Sequence, residues 1–209
     1  MANDVKKLID GFHKFRNNYF VKDTELFEHL TTGGQSPKTL IIGCSDSRVD
    51  PALLTQAEPG DIFVVRNVAN LVPPYETGGN FHGVSSAIDF AVNGLKVENI
   101  IVLGHEHCGG IHALLKGPPE QKGFISSWMR IAAEAKIEVL NEMPSAPYKE
   151  QMTACAKKAI LISMENLMSF PFIQERLKAR DLKIYGWFFE LEAGRLLEFD
   201  YEKKAFVQL

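Results

Sequence analysis

Three short, uninterrupted apolar runs constrain this chain most. They lie at about Lys38 to Gly43 (Thr39-Leu40-Ile41-Ile42), Asp61 to Arg66 (Ile62-Phe63-Val64-Val65) and Asn99 to Leu103 (Ile100-Ile101-Val102-Leu103). Runs of this length bounded by turn residues read as buried strands. Between them lie a cap and proline start at Asp50-Pro51 and a helical stripe from Gly83 to Lys96, with Val84, Ala87, Ile88, Ala91 and Leu95 on one face. Asp50 can cap a helix whose first residue is Pro51. Strands that are apolar throughout, alternating with helices, predict a parallel sheet covered on both faces, with right-handed crossovers.

Two of the three strands end in groups that bind metals. The first runs through Gly43 into Cys44-Ser45-Asp46-Ser47-Arg48, and the third through Gly104 into His105-Glu106-His107-Cys108-Gly109-Gly110. Open α/β sheets place ligand sites at the carboxyl ends of their strands. If extended, Cys44, Asp46 and Arg48 share one side, which predicts a metal-binding thiolate beside an ion pair. His105 and Cys108, three apart, fit a turn that opens a helix. Cys44, His105 and Cys108 together make a two-thiolate, one-imidazole set that suits zinc and leaves a fourth position open, as in catalytic sites. His107 and His112 are the alternative imidazoles. His105 is preferred because the strand terminus fixes its position. Cys155, between Ala154 and Ala156, reads as a buried apolar residue.

The remaining chain reads as helical before the sheet and after it. Val5, Leu8, Ile9, Phe12, Phe15 and Tyr19 form one helical stripe over Val5 to Phe20, and a second helix covers Thr24 to Leu30, with Thr24 as cap and Gly33-Gly34 as its end. After Gly117-Pro118-Pro119, helices are expected at about Phe124 to Leu140, Tyr148 to Ser169 and Pro171 to Ala179. A hairpin follows, with strands at Leu182 to Leu191 and Arg195 to Phe199 joined by Glu192-Ala193-Gly194. No repeat or linker interrupts the 209 residues, so a single domain, 1–209, with an N-terminal arm at about 1–34, is expected.

A net charge of −3 gives no electrostatic case for nucleic acid or an anionic membrane, and no apolar run nears the roughly 20 residues of a membrane span. Three cysteines are too few for a disulfide framework, and the first residues lack a secretory pattern, so a cytoplasmic location is expected.

C-x-D-x-R at Cys44, Asp46 and Arg48, with H-x-x-C at His105 and Cys108, resembles the β-class carbonic anhydrases. Both motifs keep their intervening residues, and Arg66-Asn67-Val68-Ala69-Asn70 is also characteristic. The resemblance implies one zinc per subunit on Cys44, His105 and Cys108, with water or hydroxide as fourth ligand. It also implies reversible hydration of carbon dioxide to bicarbonate and a proton. Asp46 would orient the hydroxide and Arg48 would hold Asp46, although in some members the equivalent Asp moves onto zinc. A homo-oligomer is implied, a dimer or dimer of dimers, with the N-terminal helix embracing the partner. One branch carries tryptophan three positions before the first cysteine; Ile41 stands there instead. The plant-like branch has a glutamine, a phenylalanine and a tyrosine near the zinc. Gln35 and Phe63 match the first two, Phe90 replaces the tyrosine, and Val68 and Gly109 complete the expected substrate pocket. His82 and His107 are candidates for proton transfer by residue type. The rival readings are a non-catalytic zinc staple with Asp46 as fourth ligand, an enzyme for carbon disulfide or carbonyl sulfide, and a nucleotide-binding domain. The last lacks a glycine-rich phosphate loop.

Overall fold

The computed structural model describes residues 2–78, 82–117 and 123–209. The chain divides into two units, one ending at Ser36 and one spanning Pro37–Leu209.

The N-terminal unit is helical. Helix α1 (Ala2–Asn17) runs into a π turn, Asn18–Lys22, and α2 (Glu25–Gly33) follows. Phe15, Tyr19, Phe20 and Phe27 form an aromatic cluster with ring centroids 4.6 to 6.1 Å apart. Val5, Leu8, Ile9 and Phe12, from the same stripe, stay exposed. Thr24 precedes α2 as expected, but its side chain makes no capping bond. Gly34, at φ +74°, ends the helix.

The larger unit is built on a six-stranded sheet in the order β2-β1-β3-β4-β5-β6. Its strands are β1 (Thr39–Cys44), β2 (Ile62–Asn67), β3 (Asn99–His105), β4 (Lys183–Glu190), β5 (Arg195–Asp200) and β6 (Ala205–Gln208). The first four in sheet order are parallel and the last two antiparallel. This is the central, mainly parallel sheet with a C-terminal strand pair that the apolar runs predict. β1 and β3, inside the sheet, are buried along nearly their whole length, as continuous apolar strands must be.

Helices cover the sheet: α3 (Pro51–Thr55), α4 (Gly83–Asp89), α5 (Gly109–Lys116), α6 (Phe124–Met129), α7 (Ala133–Glu142), α8 (Tyr148–Met168) and α9 (Pro171–Ala179). Asp50 caps α3 as the sequence predicts, its Oδ1 accepting from the Ala52 and Leu53 amides at 3.0 and 3.3 Å. α8 crosses β3 and β4 so closely that a Cβ on Gly104 would lie 2.7 Å from Ile160 Cδ1.

Some expectations are corrected. The stripe at Gly83 to Lys96 is α4 plus a π turn, Phe90–Gly94. The helix expected at Phe124 to Leu140 is broken by a 3₁₀ turn, Arg130–Ala132, and extends to Glu142. β6 pairs with β5, where the sequence predicts no strand. The stretch after Cys44 is not extended: the Arg48 amide donates to Asp46 Oδ1 at 3.0 Å, closing a turn. The expected start of the helical region at Pro118-Pro119 lies outside the described residues. Among the described residues, no helix is long and apolar enough to cross a membrane.

Candidate metal centre

Strand register creates the site. β1 and β3 pair with Gly43 opposite Leu103, so the next residues, Cys44 on one strand and Gly104 and His105 on the other, emerge together at the carboxyl end of the sheet. Cys108 occupies the cap position of α5, facing the same point. The potential ligand atoms of Cys44, His105 and Cys108 all lie within 4.8 Å of one another. The two sulfurs are 3.9 Å apart. All three residues are buried.

The chemistry of this trio calls for a cation. His105 Nδ1 is 2.6 Å from the Glu106 carbonyl, which only accepts, so Nδ1 carries the proton and Nε2 presents its lone pair. Nε2 is buried with no hydrogen-bond partner. A buried acceptor left unpaired costs roughly 1–3 kcal/mol unless something binds it. The hydrogen bond between the two thiols pulls Cys44 below its ordinary value and pushes Cys108 above it. Metal binding needs both as thiolates, and a divalent cation supplies the compensating charge. Two sulfurs and one imidazole form the borderline-soft set that suits zinc. Among the described residues this is the one group of three or more His, Cys, Asp or Glu side chains placed to hold a metal.

Beside the trio, Arg48 grips Asp46 with Nε on Oδ1 at 2.9 Å and Nη2 on Oδ2 at 2.7 Å. This bidentate bond holds the Asp46 carboxyl well below the usual carboxylate range, so it stays ionised. Asp46 Oδ2 is 4.0 Å from His105 Nε2, next to the point the ligands share. Arg66 supports the loop from β2: its Nε donates to the Cys44 carbonyl at 2.9 Å, its Nη2 to the Asp46 carbonyl at 2.7 Å and its Nη1 to the Asp50 carboxylate at 2.6 Å. Sequence reasoning gave Arg66 no role, although it noted the residue in a characteristic stretch.

The other predicted residues separate into groups. Gly109 opens α5 with space around it, and Val68 Cγ1 packs against Gly110, where a Cβ would meet it at 2.8 Å. Both therefore adjoin Cys108. Phe63 does not: it lies opposite Leu40, four residues before Cys44, or about 13 Å down the strand. It meets the half-exposed Phe90 at 5.8 Å between ring centroids, on the β2 side of the sheet. Gln35 belongs to the N-terminal unit. His112 faces the Tyr148 hydroxyl at 3.0 Å, His107 faces Glu192 Oε1 at 2.9 Å and His82 faces the Gly78 carbonyl at 2.9 Å, so none of these rings joins the trio. Burial pushes the Cys155 thiol up to about 12, as suits an inert core residue.

Three potential metal ligands at the carboxyl ends of parallel strands, with a carboxylate held beside them, fit a metalloenzyme of the α/β class. A family model described as carbonic anhydrase matches residues 39–196. A carbonic anhydrase of Synechocystis sp. is 38% identical over 198 residues, covering 94% of this chain and 71% of its own. One of Synechococcus elongatus is 35% identical over 196 residues, covering 93% and 71%. The solved structure of the β-carbonic anhydrase CcaA superposes with a TM-score of 0.92 at 36% identity, covering 100% of this chain and 93% of that one. A tetrameric β-carbonic anhydrase from Sordaria macrospora gives 0.85 at 29%, covering 94% and 97%. The chain belongs to the β class of the carbonic anhydrase family.

Proposed function

We propose that this chain catalyses the zinc-dependent, reversible hydration of carbon dioxide to bicarbonate and a proton, with one zinc per subunit on Cys44, His105 and Cys108. The observation that carries the reading is the buried, unpartnered Nε2 of His105 facing two thiols. The chemistry zinc supplies is activation of a water ligand by lowering its pKa, an effect best known from carbonic anhydrases themselves. Asp46, kept ionised by Arg48, accepts a hydrogen bond from the nucleophile and turns its lone pair towards carbon dioxide. Arg48 also restrains Asp46 from becoming a fourth ligand, and its two bonds to that carboxylate favour the open state over a zinc staple.

The pocket is of the plant-like kind. Val68 and Gly109 line it from the same subunit. Gln35, Phe63 and Phe90 reach it from a partner. The distance of Phe63 from Cys44 along the sheet and the exposure of Phe90 support that assignment. Apolar walls suit uncharged carbon dioxide, and Gln35 donates to bicarbonate. The Sordaria macrospora enzymes are tetrameric, which supports a homo-oligomer here. Residues 1–34 act as the arm of one β-carbonic anhydrase-like domain spanning 1–209. Three free cysteines support a reducing, cytoplasmic setting.

A stopped-flow hydration assay tests this reading. The zinc-loaded protein is expected to accelerate hydration, with rates rising between about pH 6 and 9 because two thiolates leave the water less acidic than three imidazoles would. Cys44→Ser is expected to lose the acceleration. Acceleration that survives this substitution contradicts the reading.

A further inference from the structure

Glu192 lies outside the metal centre, in the turn Leu191–Gly194 that joins β4 to β5. β3 and β4 are parallel with His105 opposite Phe189, so this turn emerges beside the His105–Cys108 loop. The Glu106 amide donates to the Phe189 carbonyl at 3.0 Å, and the Glu192 amide to the Glu106 carboxylate at 3.2 Å. The Glu192 side chain holds two partners: Oε1 is 2.9 Å from His107 Nε2, and Oε2 takes Lys149 Nζ of α8 at 2.5 Å. Lys149, and then His107, hold the carboxyl below its usual range.

His107 has φ +54°, a left-handed conformation that a non-glycine residue keeps only where its surroundings fix it. That backbone aims the His107 carbonyl at Arg48 Nη2, 3.2 Å away. The same nitrogen donates to Asp46 Oδ2 at 2.7 Å. Hydrogen bonds and one strained residue thus connect Glu192 to Asp46.

We infer that Glu192 is a positioning residue for the Asp46–Arg48 pair, acting through the His107 carbonyl; the inference rests on the catalytic role proposed for that pair. The Arg48 amide pins Asp46 Oδ1 to the loop's own backbone, but no bond within the pair ties that loop to the one that carries His105 and Cys108. Arg48 is half-exposed, and its bond to His107 ties its guanidinium to the loop that carries His105 and Cys108. Without the Glu192 carboxylate the His107 peptide is free to leave its strained conformation, its carbonyl turns away, and Asp46, already 4.0 Å from His105 Nε2, loses its fixed relation to the ligands.

The test uses the full zinc-loaded chain. Glu192→Ala is expected to lower kcat roughly fivefold with KM unchanged, short of the roughly 10- to 100-fold losses that follow removal of a metal ligand's direct partner. Glu192→Gln, which keeps an oxygen for His107, restores most of the rate. Glu192→Ala added to Arg48→Ala costs nothing further, because both act on one pair. A second readout is the visible absorption of the cobalt(II)-substituted protein, which in Glu192→Ala is expected to move towards that of Arg48→Ala. Lys38→Ala, which breaks an exposed ion pair with Glu98 at the opposite end of β1, serves as control and keeps the wild-type rate. A Glu192→Ala loss that multiplies with that of Arg48→Ala, or a cobalt spectrum like the wild type's, overturns the inference. A wild-type rate in Arg48→Ala itself overturns the underlying reading of the pair.

Discussion

Among the described residues, the Asp46 carboxylate takes three hydrogen bonds, all from Arg48: two from the guanidinium and one from the backbone amide. These bonds lower its pKa, so the pairing stabilises the fold in full above the carboxyl's ordinary value of 3.8 and is lost as pH falls through the depressed one. In urea titrations of the metal-free protein, Arg48→Ala is expected to be less stable than wild type at pH 6, with the gap closing towards about pH 2. An equal gap at both pH values contradicts the assigned cause. In the loaded enzyme the same variant is expected to lose roughly 10- to 100-fold in kcat. That Cys44, His105 and Cys108 would meet was legible in the sequence, because Cys44 and His105 each follow an apolar run and Cys108 stands three residues after His105. The supports were not. Arg66 reaches Cys44 and Asp46 only through the β1–β2 register, and Glu192 lies 85 residues from His107.

Elements that bury one face continuously were readable, and those shaped by tertiary contact were not. β1 and β3 have almost no polar residue to confuse the period, and Pro171–Ala179 falls where the proline predicts. The break at Arg130–Ala132 follows no local signal; just before it, the Trp128 indole donates to the distant Val68 carbonyl at 2.7 Å. β6 is only four residues long, too short to stand out from a turn. At this scale the close packing of α8 on β3 matters most, because it fixes the strand that ends in His105. Gly104→Ala puts a Cβ 2.7 Å from Ile160 Cδ1, and overpacking of this kind costs about 1–3 kcal/mol. The variant is expected to melt at lower temperature, and Ile160→Val, which removes that Cδ1, to recover part of the loss. Full additivity of the two changes in a thermal melt contradicts the packing argument.

At the level of the assembly, apolar surface stays exposed on this chain. Phe90 is half-exposed against Phe63, and β2 is a sheet edge. In the proposed homo-oligomer a partner would cover that face and complete the pocket. Phe90→Glu would place a charge in it, and is expected to shift the protein towards smaller species in sedimentation velocity and to raise KM. An unchanged assembly argues against this face as the interface. The motif resemblance implies an oligomer, but the face it covers was not legible, since a sequence shows which positions are apolar but not which remain uncovered after folding.

Back-titration of the metal-free protein with zinc, with carbon dioxide hydration followed, tests directly whether the trio holds the active metal. Activity is expected to rise linearly and break at one zinc per chain in the wild type, with no rise in His105→Ala. Activity that is indifferent to zinc, or that returns in full without His105, would contradict it.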